Sequence, residues 1–157
     1  MIYIVGDTHG TNDIGKLERL QDFITPEDFL IICGDVAVCW DNGPHDEYVQ
    51  NKLLGLVSCP ILWIDGNHEN FDLIEKLPIE YWSGGKVQII KDRIIHLMRG
   101  EVYTIQGKTF FCFGGGQSVD RFYRTLGESW WPQEMPTKEE QDYGMQNLDK
   151  VNNRVDY

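Results

Sequence analysis

Residues 1–10 read MIYIVGDTHG, five apolar residues followed by Gly6, Asp7, Thr8, His9 and Gly10. An apolar run of this length, ended by a glycine, predicts a buried β-strand that stops near Gly6. In open α/β sheets, ligands bind beyond the carboxyl ends of the strands. We therefore expect Asp7 and His9, whose side chains can both bind metal ions, to lie at a functional site.

The same pattern of apolar run and polar ending occurs twice more. Residues 29–35 read FLIICGD and residues 61–69 read ILWIDGNHE. The glycines of the three stretches are 28 and 32 residues apart, about the length of a unit of strand, helix and parallel strand. Three parallel strands would carry the following side chains to one edge of a sheet: Asp7, His9, Asp35, Asn67 and His68.

Length and charge limit the classes of protein and partner. A chain of 157 residues fits one domain, here residues 1–157, and is long enough to form a core without disulfides or metals. The formal charge of −11 and the lack of a basic patch argue against a DNA or RNA duplex as partner. An acidic chain can still act on a phosphorylated compound if divalent cations reverse the local charge.

Cysteine usage and the N-terminus favour a cytoplasmic protein. The four cysteines show no C-x-x-C spacing, which is typical of reduced, mostly buried thiols. The first apolar run is broken at Gly6 and follows no basic segment, so we expect neither a signal peptide nor a membrane anchor.

The order of the remaining elements predicts an α/β half followed by an antiparallel β half. Helical spacing of apolar residues predicts a helix over residues 17–24, capped by Asn12 or Asp13, a second over residues 49–57 and a short one over residues 71–77. From Lys86 onward, four short apolar runs separated by tight breaks predict a meander of β-hairpins.

The last third of the chain combines a long irregular segment with a helix. Residues 114–136 begin with three glycines, and we interpret these as a turn at a strand end that approaches the site, since the lysine and hydroxyl of a P-loop are absent. Thr137 begins a capping box for a helix that runs toward Asn152. Residues 154–157 have the composition of a starting strand.

Carboxylate, imidazole and amide ligands suit manganese, iron, zinc or magnesium better than a site that requires thiolates. Asp35 can bridge two cations through its two oxygens, with Asp7 and His9 on one cation and Asn67 on the other. Two metals roughly 3.5–4 Å apart can clamp a phosphoryl group and activate water near neutral pH. This ligand set therefore favours hydrolysis of phosphate esters.

The stretches Asp7-Thr8-His9, Gly34-Asp35 and Gly66-Asn67-His68-Glu69 resemble the first three motifs of the calcineurin-like metallophosphoesterase superfamily, in order. The resemblance implies a four-layer αββα sandwich of the α/β class (α+β in some schemes). It also implies two divalent metal ions, held at Asp7, His9, Asp35 and Asn67, and catalytic roles for Asp35 and for His68, which contacts the phosphate and assists the leaving group.

The family pattern continues with further histidine motifs. This chain has only four histidines and none after His96. We therefore expect the domain to be truncated at the C-terminus and the activity of residues 1–157 to be weak or absent. One cation would be held, weakly, by Asp7, His9 and Asp35.

Several residues have a structural interpretation that competes with a functional one. Asp7 and Asp35 can be helix caps or turn residues, and Asn67-His68 a turn, but their joint occurrence behind three strands favours the metal site. His96 lies in a β run and is interpreted as a hydrogen-bonded sheet residue, and His45 as a solvated loop residue. Arg121 and Arg124 can bind phosphate or form surface ion pairs. Trp130 and Trp131 are interpreted as core residues.

The sequence thus predicts a metal-dependent phosphoesterase, a phosphatase or phosphodiesterase, that uses water activated by two metal ions. Its substrate would be a phosphorylated small molecule or a phosphoprotein. The alternative is a catalytically silent scaffold with the same fold, or a binding module that forms a homo-oligomer through the face left open by truncation. No membrane is expected as partner.

Overall fold

The computed structural model describes residues 1–157 and contains two sheets and four α-helices. The strands are β1 (Ile2–Gly6), β2 (Phe29–Cys33), β3 (Ile61–Ile64), β4 (Ile79–Trp82), β5 (Gly85–Lys91), β6 (Ile94–Leu97), β7 (Glu101–Ile105) and β8 (Lys108–Cys112). The α-helices are α1 (Gly15–Glu18), α2 (Pro44–Leu56), α3 (Phe71–Ile74) and α4 (Lys138–Lys150), and two 3-10 helices span Arg121–Tyr123 and Pro132–Glu134.

The larger sheet has six strands in the order β1-β2-β3-β6-β5-β4. Strands β1, β2, β3 and β6 are parallel to one another, while β5 is antiparallel to β6 and to β4. The predicted parallel arrangement of the first three strands is confirmed. Their carboxyl ends consequently meet at one edge of the sheet, where the polar motifs follow.

Alternate residues of the central strands pack on opposite faces of the large sheet. Leu30 and Ile32 of β2 belong to a core shared with Leu17 of α1 and with Val49 and Leu53 of α2. This alternation follows from the two-residue period of a strand.

The opposite face of the large sheet carries the second core. Ile31 and Leu62 pack there with Tyr103 and Phe110 of the small sheet, in which β7 and β8 are antiparallel. Burial on both faces explains why these parallel strands are continuous apolar runs.

Helix α4 covers the outer face of the small sheet. The Nδ2 atom of Asn147 donates a hydrogen bond of 2.7 Å to the backbone oxygen of Gly100, and a Cβ at Gly144 would lie 3.2 Å from the Phe111 ring. The layers are therefore helices, large sheet, small sheet and α4, which confirms the predicted αββα sandwich of the α/β class.

The predicted hairpin meander is only partly correct. Strands β5 and β6 form a hairpin, as do β7 and β8, but β6 pairs in parallel with β3 rather than with β7. The chain leaves the large sheet at Gly100, whose φ is +76°, a conformation that glycine adopts readily. Strand β6 is fully buried, His96 included, because it has neighbours on both sides.

Three local predictions differ from the structure, and one strand has no predicted counterpart. Helix α1 spans only Gly15–Glu18 and has no side-chain cap, and α3 stops at Ile74. Strand β4, which lies at the edge of the sheet with three exposed residues, was not predicted. Residues 154–157 form no strand, although the backbone of Tyr157 hydrogen bonds to Thr109 and Phe111.

The capping box of α4 is confirmed. The Thr137 side chain accepts from the Glu140 backbone, and the Glu140 side chain accepts from the backbone of Thr137. Neither α2 nor α4, each with 13 residues, nor any other helix has the length and apolar character needed to span a bilayer.

Candidate metal centre

The loops after β1 and β2 run side by side beyond the ends of the strands. The backbone nitrogen of Asp7 donates to the oxygen of Gly34 at 3.3 Å, and that of His9 donates to the oxygen of Asp35 at 2.7 Å. Asp7, His9 and Asp35 have φ values of 54°, 44° and 52°. Left-handed backbone at non-glycine residues costs energy and clusters at functional sites. These loops hold the backbone at the three residues in this uncommon conformation.

Asp7, His9 and Asp35 form a group that can hold a metal ion. One ligand atom from each lies within 4.8 Å of the others. The His9 Nε2 atom is 4.0 Å from Asp7 Oδ1 and 3.8 Å from Asp35 Oδ2. Two ligand atoms, each about 2.1 Å from a shared ion, can be at most about 4.2 Å apart. Both distances that involve His9 lie within this limit, so His9 can share a divalent cation with Asp7 and with Asp35.

The Asp35 carboxylate is fixed from its other side. Its Oδ1 atom accepts a hydrogen bond of 2.9 Å from the His68 backbone nitrogen, which leaves Oδ2 facing His9. A Cβ at Gly66 would lie 2.1 Å from this same Oδ1 atom. The glycine of the Gly66-Asn67-His68 motif is therefore required for the close approach of the third loop to Asp35.

Asn67, Asp7 and Asp35 line one pocket, and this pocket has a volume of about 360 Å³. Gly114 and Gly115 line it as well, which agrees with their interpretation as a strand-end turn near the site. The His68 and His9 rings are 5.6 Å apart in an edge-on arrangement. The structure thus brings together all five side chains that the strand-end pattern selected.

Residues 117–136 supply contacts that the motifs did not predict. Ser118 accepts a hydrogen bond of 2.9 Å from Nδ2 of Asn67 and lies against the buried Glu134. A single sequence carries little signal for these residues, because they follow no periodic pattern and lie in an irregular segment.

Of Arg121 and Arg124, only Arg124 reaches the site. Its Nη2 atom is 3.2 Å from Nε2 of His68, while Arg121 lies over the ring of Phe122. Hydrogen bonds from Arg124 hold the pKa of Asp120 below its usual value. A guanidinium only donates, so in this contact Nε2 of His68 is the acceptor.

The interpretation of His96 as a hydrogen-bonded sheet residue is confirmed. Its Nδ1 atom is 2.8 Å from Gln88 Oε1 and its Nε2 atom 3.3 Å from Asp65 Oδ1. Gln88 uses its Nε2 atom to donate to two backbone oxygens, which fixes its Oε1 atom as an acceptor. Burial tends to raise the pKa of Asp65, but hydrogen bonds from His96 and Arg99 outweigh it and lower that pKa.

A cavity of about 500 Å³ is lined by Asp65, Gln88 and His96 of this network and shares only Asp65 with the pocket of Asp7 and Asp35. A second cluster, Asp41, His45 and Asp46, also places ligand atoms within 4.8 Å. Asp46 accepts from the backbone nitrogens of residues 40–42, so it stabilises the turn before α2. His45 belongs to the first turn of α2 rather than to a loop.

The tryptophan pair is divided between core and surface. Trp131 is buried and packs edge-on against Trp40, with ring centroids 5.6 Å apart, whereas Trp130 is half-buried. All four cysteines are free thiols, as their spacing predicted.

Comparison with known proteins supports the resemblance seen in the three motifs. No curated protein and no solved structure matches the chain. The family model described as calcineurin-like phosphoesterase matches residues 1–156, which includes every strand-end motif. This chain therefore belongs to the calcineurin-like phosphoesterase family.

Proposed function

We propose that the chain is a metal-dependent phosphoesterase whose first cation is held by Asp7, His9 and Asp35 and whose second is held by Asp35 and Asn67. The observation that carries this proposal is the convergence of carboxylate and imidazole ligands within 4.8 Å at the edge of the sheet. Bound divalent cations would lower the pKa of water and polarise the phosphoryl group. Manganese, iron, zinc and magnesium all suit these ligands.

The residues of the chain would orient the substrate. His68 and Arg124 together form a polar edge, with Arg124 held by both oxygens of Asp120 at 2.8 Å. Asp120 occupies the Nε–Nη2 fork of Arg124 and the Ser129 backbone oxygen accepts from Nη1 at 3.0 Å, so one Nη1 hydrogen is left for a phosphate oxygen. We assign Arg124 to a non-bridging oxygen of the phosphate and His68 to the leaving group, and the substrate to phosphorylated small molecules or phosphoproteins.

The test is an assay with Mn²⁺ and two substrates, p-nitrophenyl phosphate for a phosphatase and bis-p-nitrophenyl phosphate for a phosphodiesterase. We expect slow turnover that EDTA abolishes, because few imidazole ligands are available. Asp35→Asn should abolish it and Arg124→Ala should mainly raise KM. Turnover that is unaffected by EDTA or by Asp35→Asn would contradict the proposal.

The alternative, a silent scaffold that binds a second copy, is favoured by one observation. Val119, Phe122 and Tyr123 expose more than four-fifths of their surface, and exposed apolar groups are common at interaction sites. Light scattering after size-exclusion chromatography distinguishes the two functions. A dimer that persists in EDTA, dissociates on Phe122→Ser and shows no turnover with any of the four metals would favour the scaffold.

A further inference from the structure

We propose that Ser118 and Glu134 are positioning residues that orient the side-chain amide of Asn67, so that its oxygen rather than its nitrogen is available to a cation. The inference rests on the proposed function in one respect, the assignment of Asn67 as a metal ligand. Neither residue belongs to the three motifs, and both lie in the irregular segment after β8.

The first step is the fixed role of Glu134 as acceptor. Its side chain is fully buried. Its Oε1 atom accepts from the Ser118 backbone nitrogen at 2.9 Å, and its Oε2 atom accepts from the Ser118 hydroxyl at 2.5 Å. A carboxylate has no proton to donate. The single hydroxyl proton of Ser118 is therefore directed toward Glu134.

The second step follows from the use of that proton. Because the Ser118 hydroxyl donates its one proton to Glu134, its Oγ atom can only accept a hydrogen bond from Asn67, at 2.9 Å. Only the amide nitrogen of Asn67 can donate, so Nδ2 faces Ser118 and Oδ1 takes the other side of the amide. Hard cations bind amide oxygens and not amide nitrogens. Reversal of the amide would remove Asn67 as a ligand.

The segment that carries this chain of hydrogen bonds is anchored at its Glu134 end. The 3-10 helix Pro132–Glu134 follows Trp131, which is 3% exposed. The Glu134 backbone oxygen also accepts from Gly116 at 3.0 Å. Ser118 is itself 3% exposed. The positioning groups are therefore part of the packed interior, which is where an outer layer of hydrogen bonds can fix a ligand.

The experiment has one arm without metal and one with Mn²⁺. In the metal-free protein, the Asn67 side-chain amide resonances, assigned by their loss in Asn67→Ala, should shift and exchange faster with solvent in Ser118→Ala. Glu134→Gln is expected to have a similar effect, because a glutamine amide can donate to Ser118 and release its proton toward Asn67. Ser129→Ala is the matched control, since Ser129 Oγ bonds only within the same segment, to the Thr125 nitrogen.

In the second arm, calorimetry with Mn²⁺ should show affinity about 10- to 100-fold weaker in Ser118→Ala and in Glu134→Gln and unchanged in Ser129→Ala. Ser118→Ala should have no further effect in an Asn67→Ala background. An Asn67 amide that does not respond to either variant overturns the inference, as does an additive loss in the double variant. Wild-type protein that binds no Mn²⁺ while the amide responds as described overturns the proposed function instead, and leaves the orienting role of Ser118 and Glu134 supported.

Discussion

The carboxyl group of Glu69 shows how a single buried residue near the site responds to pH. Glu69 is fully buried and one of its oxygens accepts from the Val36 nitrogen at 3.0 Å, while the other has no hydrogen-bond partner. Burial, with a smaller contribution from the charges of Asp35 and Asp65, raises the pKa of Glu69 to about 8. The carboxyl group of Glu69 therefore stays protonated in the folded protein over a pH range in which the same group is ionised in the unfolded chain.

The pH dependence of stability follows from this difference. Between the ordinary pKa of 4.5 and about 8, the folded state binds more protons than the unfolded state, so the contribution of Glu69 to stability falls as pH rises. Glu69→Gln should remove this loss and stabilise the metal-free protein at pH 9 relative to wild type. At roughly 1.4 kcal/mol per pKa unit, the gain is at most several kcal/mol.

Urea unfolding at pH 5 and pH 9 in EDTA measures the difference between Glu69→Gln and wild type. Glu75→Gln, at an exposed position, serves as control and should leave the pH dependence unchanged. A Glu69→Gln variant with the same pH dependence as wild type would show that the buried carboxyl does not titrate in this range.

Gly66 gives a second prediction for a single residue. A Cβ at Gly66 would meet Asp35 Oδ1 at 2.1 Å and the Asp35 backbone nitrogen at 2.5 Å. Gly66→Ala should therefore displace Asp35, weaken Mn²⁺ binding and destabilise the fold by about 1–3 kcal/mol. Calorimetry and thermal unfolding check both effects. Gly116→Ala has open space around its Cβ and should change neither property by comparison.

The site was predictable from sequence to the extent that it lies at strand ends. Asp7, His9, Asp35, Asn67 and His68 follow three apolar runs, and parallel pairing brings such ends together. The orientation of the Asn67 amide was not predictable, because it depends on Ser118 and Glu134, 51 and 67 residues further along the chain. No local pattern encodes a contact of that kind.

Among the elements, helix α4 offers the clearest test of a local signal. Thr137 Oγ1 accepts from the Glu140 nitrogen at 3.1 Å, and Glu140 Oε2 accepts from the Thr137 nitrogen at 2.7 Å. Thr137→Ala should lower the free energy of unfolding by about 1 kcal/mol. Thr137→Ser keeps a hydroxyl at the cap and should retain most of this stabilisation. Denaturant titration measures both. Equal stability of wild type and Thr137→Ala would show that packing alone holds the start of α4.

Other elements show where local signals were insufficient. The apolar residues Leu17, Leu20 and Ile24 predict one helix, but α1 ends at Glu18 and residues 19–23 continue as turns. Tertiary packing of these side chains against the sheet needs no continuous helix. Strand β4 has only four residues, three of them exposed, which is too short a run to show the two-residue period of a strand.

At the scale of the whole molecule, the reactivity of the four cysteine thiols shows whether the helices and sheets stay packed together. Cys39 and Cys112 are buried, and burial raises the pKa of each thiol to about 12. Cys59 is buried and Cys33 is exposed, and burial of the sulfur raises the pKa of both. A thiolate is the reactive species, so the native protein should react slowly and at Cys33 first.

Titration with an aromatic disulfide reagent at pH 8 should therefore modify one thiol in the native protein and four after unfolding in guanidinium. Cys33→Ser should abolish the native reaction. Rapid modification of Cys39 or Cys112 in the native protein would mean that the helices or the small sheet separate readily from the large sheet.

The distance along the chain between Asn67 and Glu134 has a consequence for synthesis on the ribosome. The ligands Asp7, His9 and Asp35 and their strands emerge from the exit tunnel well before residue 134. At typical translation rates of about 5–20 residues per second, the 67 residues that separate Asn67 from Glu134 take several seconds to add. In a nascent chain, Asp7, His9 and Asp35 would thus come together before the amide of Asn67 is oriented. The two cation sites would form one after the other.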